Sequence, residues 1–271
     1  MEEKENIFFV DSHAHLGMED FDQDRQLVVQ RAFQKRIKSI LCPSDLTCPE
    51  NVNKTLSLSE TFKNLLASSG VHPHQAKQFK DQHIQEIKKL NKNKKIVAVG
   101  EIGLDFHYNF SKKKEQMAAL RHQLITAQQL HLPVIIHSRK SGSEIIVALK
   151  NENFSQGGVL HCFTEDWQTA KMLMDYNFFI SFSGILTYPS AYDIRETAKK
   201  IPMEKILIET DSPYLVPVSF RKTKKRNEPV YVIEVAKMLS ELKNIPLEEI
   251  AETTTHNFEL LFKFEINNIR C

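Results

Sequence analysis

Short runs of branched and aromatic apolar residues alternate along the chain with longer segments of mixed polar and apolar character. Each short run is typical of a buried strand, and the longer segments have the spacing of helices with one apolar face. Eight parallel strands, each followed by a helix, in about 250 residues predict a (β/α)8 TIM barrel. The eight runs begin near Ile7, Lys38, Leu65, Lys95, Pro133, Gly158, Asn177 and Lys205.

The clearest helical pattern lies between the fourth and fifth runs, over residues 112–131. Apolar residues recur there at three- and four-residue steps, which places them on one buried face. A second such pattern covers 230–242, with Pro229 at its start, where a missing N–H costs least. Residues 246–264 predict one or two closing helices.

A doubly wound open sheet is the alternative architecture for alternating strands and helices. Such a sheet usually carries a glycine-rich phosphate turn after its first strand, and the chain contains no GxGxxG motif. It also contains no internal repeat, low-complexity tract or linker that would divide it. The pattern therefore favours a single barrel domain over 1–271.

Composition adds limits on partners and location. The 36 basic and 34 acidic residues nearly balance, so a polyanion would have to be held by a local feature. The only early apolar stretch, 7–10, is too short for a membrane span or a secretory signal. We expect a cytoplasmic protein, or a nuclear one in a eukaryote, without membrane association.

The cysteines support the same location. They form no CxxC pair and are too sparse for a disulfide framework, so they read as free thiols in a reducing compartment. They are Cys42, Cys48, Cys162 and Cys271.

The chemistry is concentrated where the predicted strands end. The first run stops in DSHAH at 11–15, where His13 and His15 are two positions apart and point to the same side of an extended chain. Five other runs end in polar motifs: GVHPH at 70–74, GEIGLD at 100–105, HSR at 137–139, LHCF at 160–163 and ETDSP at 209–213. Because barrel enzymes build their active sites at this end of the strands, these motifs indicate one shared site.

Imidazoles and carboxylates together are ligands for Zn²⁺, Mn²⁺, Fe²⁺ or Ni²⁺, and oxygen-rich variants accept Mg²⁺. The candidate set exceeds what one tetrahedral ion with an open position requires, which favours two divalent ions about 3.5–4 Å apart. Glu101 is the natural bridge, because it arises between the first strand and the later histidines. The candidate ligands are His13, His15, Glu101, His137, His161 and Asp211.

These motifs, in this order and over nearly the whole chain, resemble the TatD family of metal-dependent deoxyribonucleases, among the amidohydrolase-like barrels. The segments ETDSPYL at 209–215 and RNEP at 226–229 match as well. The resemblance implies a TIM barrel, a one- or two-metal site, and 3′-5′ exonuclease or endonuclease activity on DNA.

The resemblance also assigns roles to residues of this chain. His13 and His15 match the pair that holds one ion, and His137 and His161 match the histidines of the other. Some relatives lack the first pair, and its presence here favours two metals. In the same comparison Glu101 lies between the ions, Asp211 is the aspartate after the last strand, and His72 and His74 line the site.

The expected mechanism is attack on phosphorus by a metal-bound hydroxide. The ions would lower the pKa of the water and neutralise the growing negative charge. Asp211 would ligate one ion and orient or deprotonate the water, with Glu101 as the second catalytic carboxylate. Glu209, two positions before Asp211, is expected to contact a histidine rather than a metal.

A basic run, SFRKTKKR at 219–226, follows the eighth strand, in a region where barrels often bind phosphate. A solvated surface loop is the simpler reading of such a run. Contacts to phosphate from Lys225 and Arg226 would give salt-dependent binding without sequence choice. Arg139 is a further candidate, with a salt bridge at the rim as its alternative, and His72 and His74 complete the candidate substrate contacts.

Aromatic residues near the strand ends allow two readings. His107 and Tyr108 could stack on an unpaired base or pack against their own loop, and packing is the simpler interpretation. Phe163 allows the same two readings. The DNA substrate could be single-stranded.

Two other functions compete with a nuclease. One is hydrolysis of a C–N or ester bond, in a small molecule or an aminoacyl-RNA, on the same scaffold. The basic run favours phosphodiesters, and the fourth run lacks the lysine that commonly bridges amidohydrolase metals. The other is metal-dependent nucleic-acid binding without turnover, which a complete ligand set with an additional carboxylate disfavours. The pattern implies no protein partner and demands no more than a monomer.

Overall fold

A computed structural model describes residues 7–266. Its strands form one parallel sheet in which spatial order follows chain order. The predicted starts lie within two residues of the observed ones, and the largest difference is Ile7 against Phe9. The strands are β1 (Phe9–Asp11), β2 (Ile37–Asp45), β3 (Leu65–Gly70), β4 (Ile96–Asp105), β5 (Val134–Arg139), β6 (Gly158–Leu160), β7 (Phe178–Phe182) and β8 (Ile206–Ile208).

The first and last strands meet and close the sheet into a barrel. The backbone N–H of Ser12 donates to the carbonyl of Ile208 at 3.0 Å, and the N–H of Asp211 donates to the carbonyl of His13 at 2.9 Å. These bonds join the two segments that carry the DSHAH and ETDSP motifs. The predicted (β/α)8 barrel is therefore confirmed.

Helices fill the connections between the strands. The pattern over 112–131 forms α4, the pattern over 230–242 forms α8 after a 3-10 turn at Pro229–Tyr231, and 246–264 forms the single helix α9. No helix within 7–266 has both the length and the apolar character needed to cross a membrane. The α-helices are α1 (Arg25–Gln34), α2 (Pro49–Thr61), α3 (Asp81–Leu90), α4 (Lys113–Leu130), α5 (Gly142–Asn151), α6 (Trp167–Asp175), α7 (Tyr192–Lys200), α8 (Val232–Lys243) and α9 (Leu247–Phe262).

Alternation along the strands produces two apolar layers. Leu41 and Leu66 belong to the cluster inside the barrel, whereas their neighbours Ile40 and Leu65 pack in the layer that includes the helices. Burying each such side chain, relative to leaving it exposed, contributes about 1.5–3 kcal/mol to the stability of the fold.

Helix α9 closes one end of the barrel. Phe258 and Phe262 pack with the interior cluster, and the Asn257 side chain donates to the carbonyl of Ile206, where β8 begins. The closed end is therefore the one at which the strands start. The polar motifs lie at the opposite end of the barrel, where the strands finish.

Candidate metal centre

The carboxylate of Glu101 on β4 lies at the centre of the polar cluster. The imidazoles and the other carboxylate of the cluster come from the carboxyl ends of β1, β3, β5, β6 and β8. The structure brings together all six predicted ligands, and it adds one of the histidines expected to line the site. The cluster consists of His13, His15, His72, Glu101, His137, His161 and Asp211.

One oxygen of Glu101 faces three imidazoles. Its Oε1 atom lies 2.8 Å from Nε2 of His161, 3.1 Å from Nδ1 of His137 and 3.2 Å from Nε2 of His72. These three rings come from β5 and from the segments after β3 and β6. They form one half of the centre.

The other oxygen of Glu101 faces the pair after β1. Its Oε2 atom lies 3.3 Å from Nε2 of His13 and 3.5 Å from Nε2 of His15. Asp211 joins this half, because its Oδ1 atom is 3.3 Å from Nε2 of His15 and 4.0 Å from Nε2 of His13. Glu101 therefore stands between two sets of donors, which is the arrangement expected of a bridging ligand.

The donor atoms fit divalent cations. Nε2 of His13 and Nε2 of His15 are 3.1 Å apart, and two neutral imidazole nitrogens at that distance share at most one proton. Glu101 Oε2 is buried and has no hydrogen-bond partner of proper geometry within residues 7–266. A cation coordinated by these atoms would satisfy them. Three groups of mutually close donors surround Glu101: His13 with His15 and Asp211, His13 with Glu101 and His161, and His72 with Glu101 and His137.

Burial and mutual charge set the protonation of the cluster. Burial alone would raise the pKa of Glu101, but the imidazoles of His161 and His72 hold that pKa well below its ordinary value. Burial lowers the pKa of His72 to about 4. Glu101 is therefore an anion and His72 a neutral imidazole near neutral pH, and both are the forms that ligate metals.

Asp105, at the end of β4, supports the centre from one side. Its Oδ2 atom lies 3.1 Å from Nε2 of His137 and 2.8 Å from Nε2 of His74. These three residues form a fourth group of close donors. If Nδ1 of His137 ligated an ion next to Glu101, the single proton of that ring would lie on Nε2, where it would be donated to Asp105. We therefore interpret Asp105 as the carboxylate that orients His137, and not as the ligand of another ion.

Sequence reasoning did not assign Asp105 to the site, although a signal was available. Glu101, Gly103 and Asp105 alternate with two other residues on β4, so their side chains share one face of the strand. A Cβ atom on Gly103 would lie 2.0 Å from the carbonyl oxygen of His137, so only glycine allows β4 and β5 to approach so closely here. That approach brings Asp105 within reach of His137.

Glu209 has the contact expected of it. Its Oε1 atom lies 3.3 Å from Nδ1 of His161 and accepts a hydrogen bond from the backbone N–H of Cys162 at 2.6 Å. Burial alone would lower the pKa of His161, but Glu101 and Glu209 raise that pKa well above its ordinary value. His137 on β5 and His161 after β6 thus each have a supporting carboxylate, Asp105 and Glu209 respectively.

Asp11 of the DSHAH motif is a structural residue. Its carboxylate accepts hydrogen bonds from the backbone N–H and the hydroxyl of Thr210, at 2.9 and 2.6 Å. Thr210 stands between Glu209 and Asp211. Asp11 therefore fixes the segment after β8 against the segment after β1.

The candidate substrate contacts are divided between the rim and the loops. His72 lies in the cluster, and His74 is partly exposed next to Asp105. Arg139 is exposed, and its guanidinium carbon is 4.8 Å from the centre of the Tyr108 ring. Lys225 is exposed. The expectation that these residues contact substrate stays a prediction.

Arg226 is held by carboxylates. Its guanidinium donates to Asp24 through two nitrogens at 2.8 Å each, and to Glu228 at 3.0 Å. It also lies over the Phe21 ring. This geometry favours a structural role for Arg226 over the predicted phosphate contact.

The structure separates the aromatic candidates. Phe163 is buried and packs edge to face against Phe182, which agrees with the packing interpretation. Tyr108 and His107 are exposed, and their rings contact each other edge to face with centroids 4.8 Å apart. They therefore pack within their own loop, and stacking on a base stays a prediction. Cys42, Cys48 and Cys162 are free thiols, and Cys271 lies outside the described residues.

A closed parallel barrel with a histidine–carboxylate cluster at the carboxyl ends of its strands defines the class of metal-dependent hydrolases. Comparison with known families gives the same class. The family model described as TatD related DNase matches residues 10–263. The chain belongs to the TatD family.

Individual relatives cover almost the full chain. A Bacillus subtilis protein named as an uncharacterized metal-dependent hydrolase is 38% identical over 254 residues, which are 93% of this chain and 98% of the relative. A Salmonella typhimurium protein named as the 3′-5′ ssDNA/RNA exonuclease TatD is 32% identical over 257 residues, again 93% and 98% of the two chains. The crystal structure of an Escherichia coli TatD homologue, YjjV, superimposes with a TM-score of 0.87 at 31% identity, over 95% of this chain and 98% of that one.

Proposed function

We propose that the protein hydrolyses phosphodiester bonds in DNA, with two divalent ions held on either side of Glu101. The observation that carries the proposal is the division of the cluster by this one carboxylate. Oε1 of Glu101 faces His72, His137 and His161, whereas Oε2 faces His13 and His15. This nitrogen-rich donor set suits Zn²⁺ and Mn²⁺ better than Mg²⁺, which prefers oxygen ligands.

Divalent ions held by these residues would supply a nucleophilic water of lowered pKa and would neutralise charge that develops on the phosphate oxygens. The protein's own residues position the reaction. Asp211 is 9% exposed and lies at the open side of the His13 and His15 pair, where its carboxylate can orient a water and accept its proton. Burial of Glu101 and His161 excludes bulk water from the opposite side.

Nucleic acid is the substrate class that the surroundings favour. The Salmonella typhimurium relative carries the name of an exonuclease for ssDNA and RNA. Arg139 and Lys225 are exposed cations, and His74 lies at the edge of the cluster. Contacts of this kind bind the phosphate backbone without reading sequence, so the activity has low sequence specificity. Among nucleic acids we favour a single strand as the substrate, because its phosphates and its bases are both accessible.

A comparison of substrates tests the proposal. The protein, treated with chelator and reloaded with Mn²⁺ or Mg²⁺, is incubated with a 5′-labelled single-stranded oligonucleotide, with the matching duplex, and with small aryl ester and amide substrates. We expect metal-dependent shortening of the single strand, with a ladder from the 3′ end if the action is exonucleolytic. Hydrolysis of the small esters or amides with an intact oligonucleotide would replace this proposal with the amidohydrolase alternative.

The matched control is Asp211→Asn. This variant removes the carboxylate that orients the water and keeps the rest of the centre. It should bind the oligonucleotide without shortening it. Equal cleavage by the variant and the parent would show that the activity does not depend on Asp211.

A further inference from the structure

Two aromatic rings are exposed on the loop that follows β4. Tyr108 is 49% exposed and Phe110 is 57% exposed. Their rings are nearly parallel, with 9° between the planes and 5.6 Å between the centroids. Large apolar rings that remain in solvent as an ordered pair are typical of a binding surface.

Buried side chains hold the backbone of the loop that carries these rings. Oδ1 of Asp105 accepts hydrogen bonds from the backbone N–H groups of His107 and Tyr108, both at 2.9 Å. The buried amide of Gln116 donates to the carbonyls of Asp105 and Ser111 at 3.0 and 2.9 Å, one at each end of the loop. The backbone that carries the rings is therefore held in place before any ligand arrives, which lowers the entropy cost of binding.

The same carboxylate ties the rings to the metal centre. Asp105 contacts His137 and His74 through its other oxygen. The His74 ring lies edge to face against Phe110 and Tyr108, with centroids 4.8 and 5.7 Å apart. Only one imidazole thus separates the pair of rings from a residue of the centre.

Charge around the rings is also suited to nucleic acid. The guanidinium of Arg139 lies against Tyr108, and it forms no ion pair with another described residue. An unpaired cation next to stacked rings attracts an anionic chain and can itself stack on a flat base. A peptide or lipid partner would not explain why this surface adjoins a phosphodiester-cleaving centre.

We propose that Tyr108 and Phe110 form a stacking subsite for one unpaired nucleobase of the substrate strand, next to the nucleotide whose phosphodiester lies at the metal centre. This inference rests on the proposed function and names the form of nucleic acid that the site selects. A base inside a duplex is already stacked on its neighbours and is unavailable to the rings. The subsite therefore selects single strands, ends or loops, without preference for one base.

Equilibrium binding tests the subsite separately from turnover. Fluorescence anisotropy of a labelled single-stranded oligonucleotide is measured with the Mn²⁺-loaded Asp211→Asn protein, so that cleavage does not interfere. Removing both rings by Tyr108→Ala with Phe110→Ala should raise the dissociation constant on the order of 5- to 100-fold. The exchange Tyr108→Phe with Phe110→Tyr keeps both rings and should retain the affinity.

The control for loss of a large exposed apolar side chain is Leu260→Ala. Leu260 is 60% exposed on α9, the helix that closes the opposite end of the barrel, and its removal should leave the affinity unchanged. Metal content and thermal midpoint of each variant are measured alongside. A double alanine variant that keeps its metal and its fold but binds as tightly as its parent overturns the proposal.

An abasic scan locates the base. Replacing single nucleotides by an abasic analogue should weaken binding strongly at one position, and that loss should disappear in the double alanine variant. If the double alanine substitution weakened the binding of a fully abasic strand as much as that of the normal strand, the rings would contact the backbone, and the stacking role would be overturned. A parent protein that binds no single strand would overturn it as well.

These results are separable from those on the proposed function. An oligonucleotide that binds through the rings but is not cleaved by the protein with Asp211 intact would refute the proposed function and support the subsite. Cleavage by the parent, with an affinity that does not depend on the rings, would refute the subsite alone.

Discussion

Nε2 of His137 lies 3.1 Å from Oδ2 of Asp105, so the orientation of this imidazole is set by a carboxylate on the neighbouring strand. With an ion bound, this contact would keep the ring proton on Nε2 and leave the lone pair of Nδ1, which lies 3.1 Å from Glu101, free to ligate the metal. Burial alone would raise the pKa of Asp105, but hydrogen bonds from His137, from the Tyr108 backbone and from His74 lower it. Asp105 is therefore an acceptor throughout the neutral range.

The first prediction replaces this acceptor. In Asp105→Asn the remaining oxygen can keep the bonds to the loop backbone, while the new NH₂ group faces the N–H of His137 and disfavours the tautomer that ligates metal. We expect metal affinity to fall about 10- to 100-fold with little change in thermal midpoint. Calorimetric titration of the metal-free protein with Zn²⁺ measures the metal affinity. The control variant is Asp193→Asn, at an exposed aspartate on α7, and it should leave that affinity unchanged. Unchanged affinity would show that Asp105 does not orient a ligand.

The second prediction concerns Asp211, which has a left-handed backbone with φ of 55°. Asparagine tolerates this conformation, so Asp211→Asn should fold normally. Loss of the carboxylate that orients and deprotonates water should lower kcat on the order of 10²- to 10⁴-fold. Steady-state kinetics on a single-stranded oligonucleotide, with circular dichroism melting as the folding control, measure both effects. A fully active variant would remove Asp211 from the proposed mechanism.

The third prediction is the direction of the pH dependence of metal binding. Burial alone would lower the pKa values of His15, His137 and His161, but Asp211 raises the first, Asp105 and Glu101 raise the second, and Glu101 and Glu209 raise the third. A raised imidazole pKa means that the metal-free form holds protons near neutral pH, and ligation must release them. Metal affinity should therefore rise as the pH increases from about 6.5, the ordinary pKa of a histidine, into the alkaline range.

Calorimetry in buffers of different ionisation enthalpy counts the released protons. The prediction is a release of at least one proton per protein near neutral pH. A metal affinity that is independent of pH over this range, with no proton released, would contradict the assigned protonation states.

The fourth prediction separates two basic residues that adjoin in the sequence. Arg226→Gln removes the ion pairs to Asp24 and Glu228, and should lower the free energy of unfolding by about 1 kcal/mol without changing KM for the oligonucleotide. Lys225→Gln should leave stability unchanged and raise KM, with a shallower dependence of binding on salt. Denaturant unfolding and kinetics at several salt concentrations measure these effects. The reverse assignment would restore Arg226 as a phosphate contact.

Much of the centre could be predicted from the sequence because strand ends in a parallel barrel converge. Once eight strands were recognised, the motifs after β1, β4, β5, β6 and β8 had to lie at one rim, and the positions of His13, Glu101 and Asp211 followed. The contact from Glu209 to a histidine followed from its two-residue spacing to Asp211.

The parts that sequence could not supply depend on relations between loops. Arg226 and Lys225 look alike in a basic run, and only the fold brings Asp24, from the segment before α1, to Arg226. The sequence predicts that Tyr108 packs within its loop, but it does not show that Asp105 holds the Tyr108 backbone or that about half of the side chain stays exposed. The contact of Asp24 with Arg226 joins residues far apart in the chain, whereas that of Asp105 with Tyr108 is local, and neither leaves a periodic trace in the sequence.

The most direct test of the central claim is a metal titration of cleavage. Mn²⁺ is added in equivalents to the metal-free protein, and the initial rate of shortening of a single-stranded oligonucleotide is measured at each step. A centre divided by Glu101 predicts a rate that rises to a plateau at about two equivalents. Full activity at one equivalent would contradict the two-ion centre, and an intact oligonucleotide at every ratio would contradict phosphodiester hydrolysis.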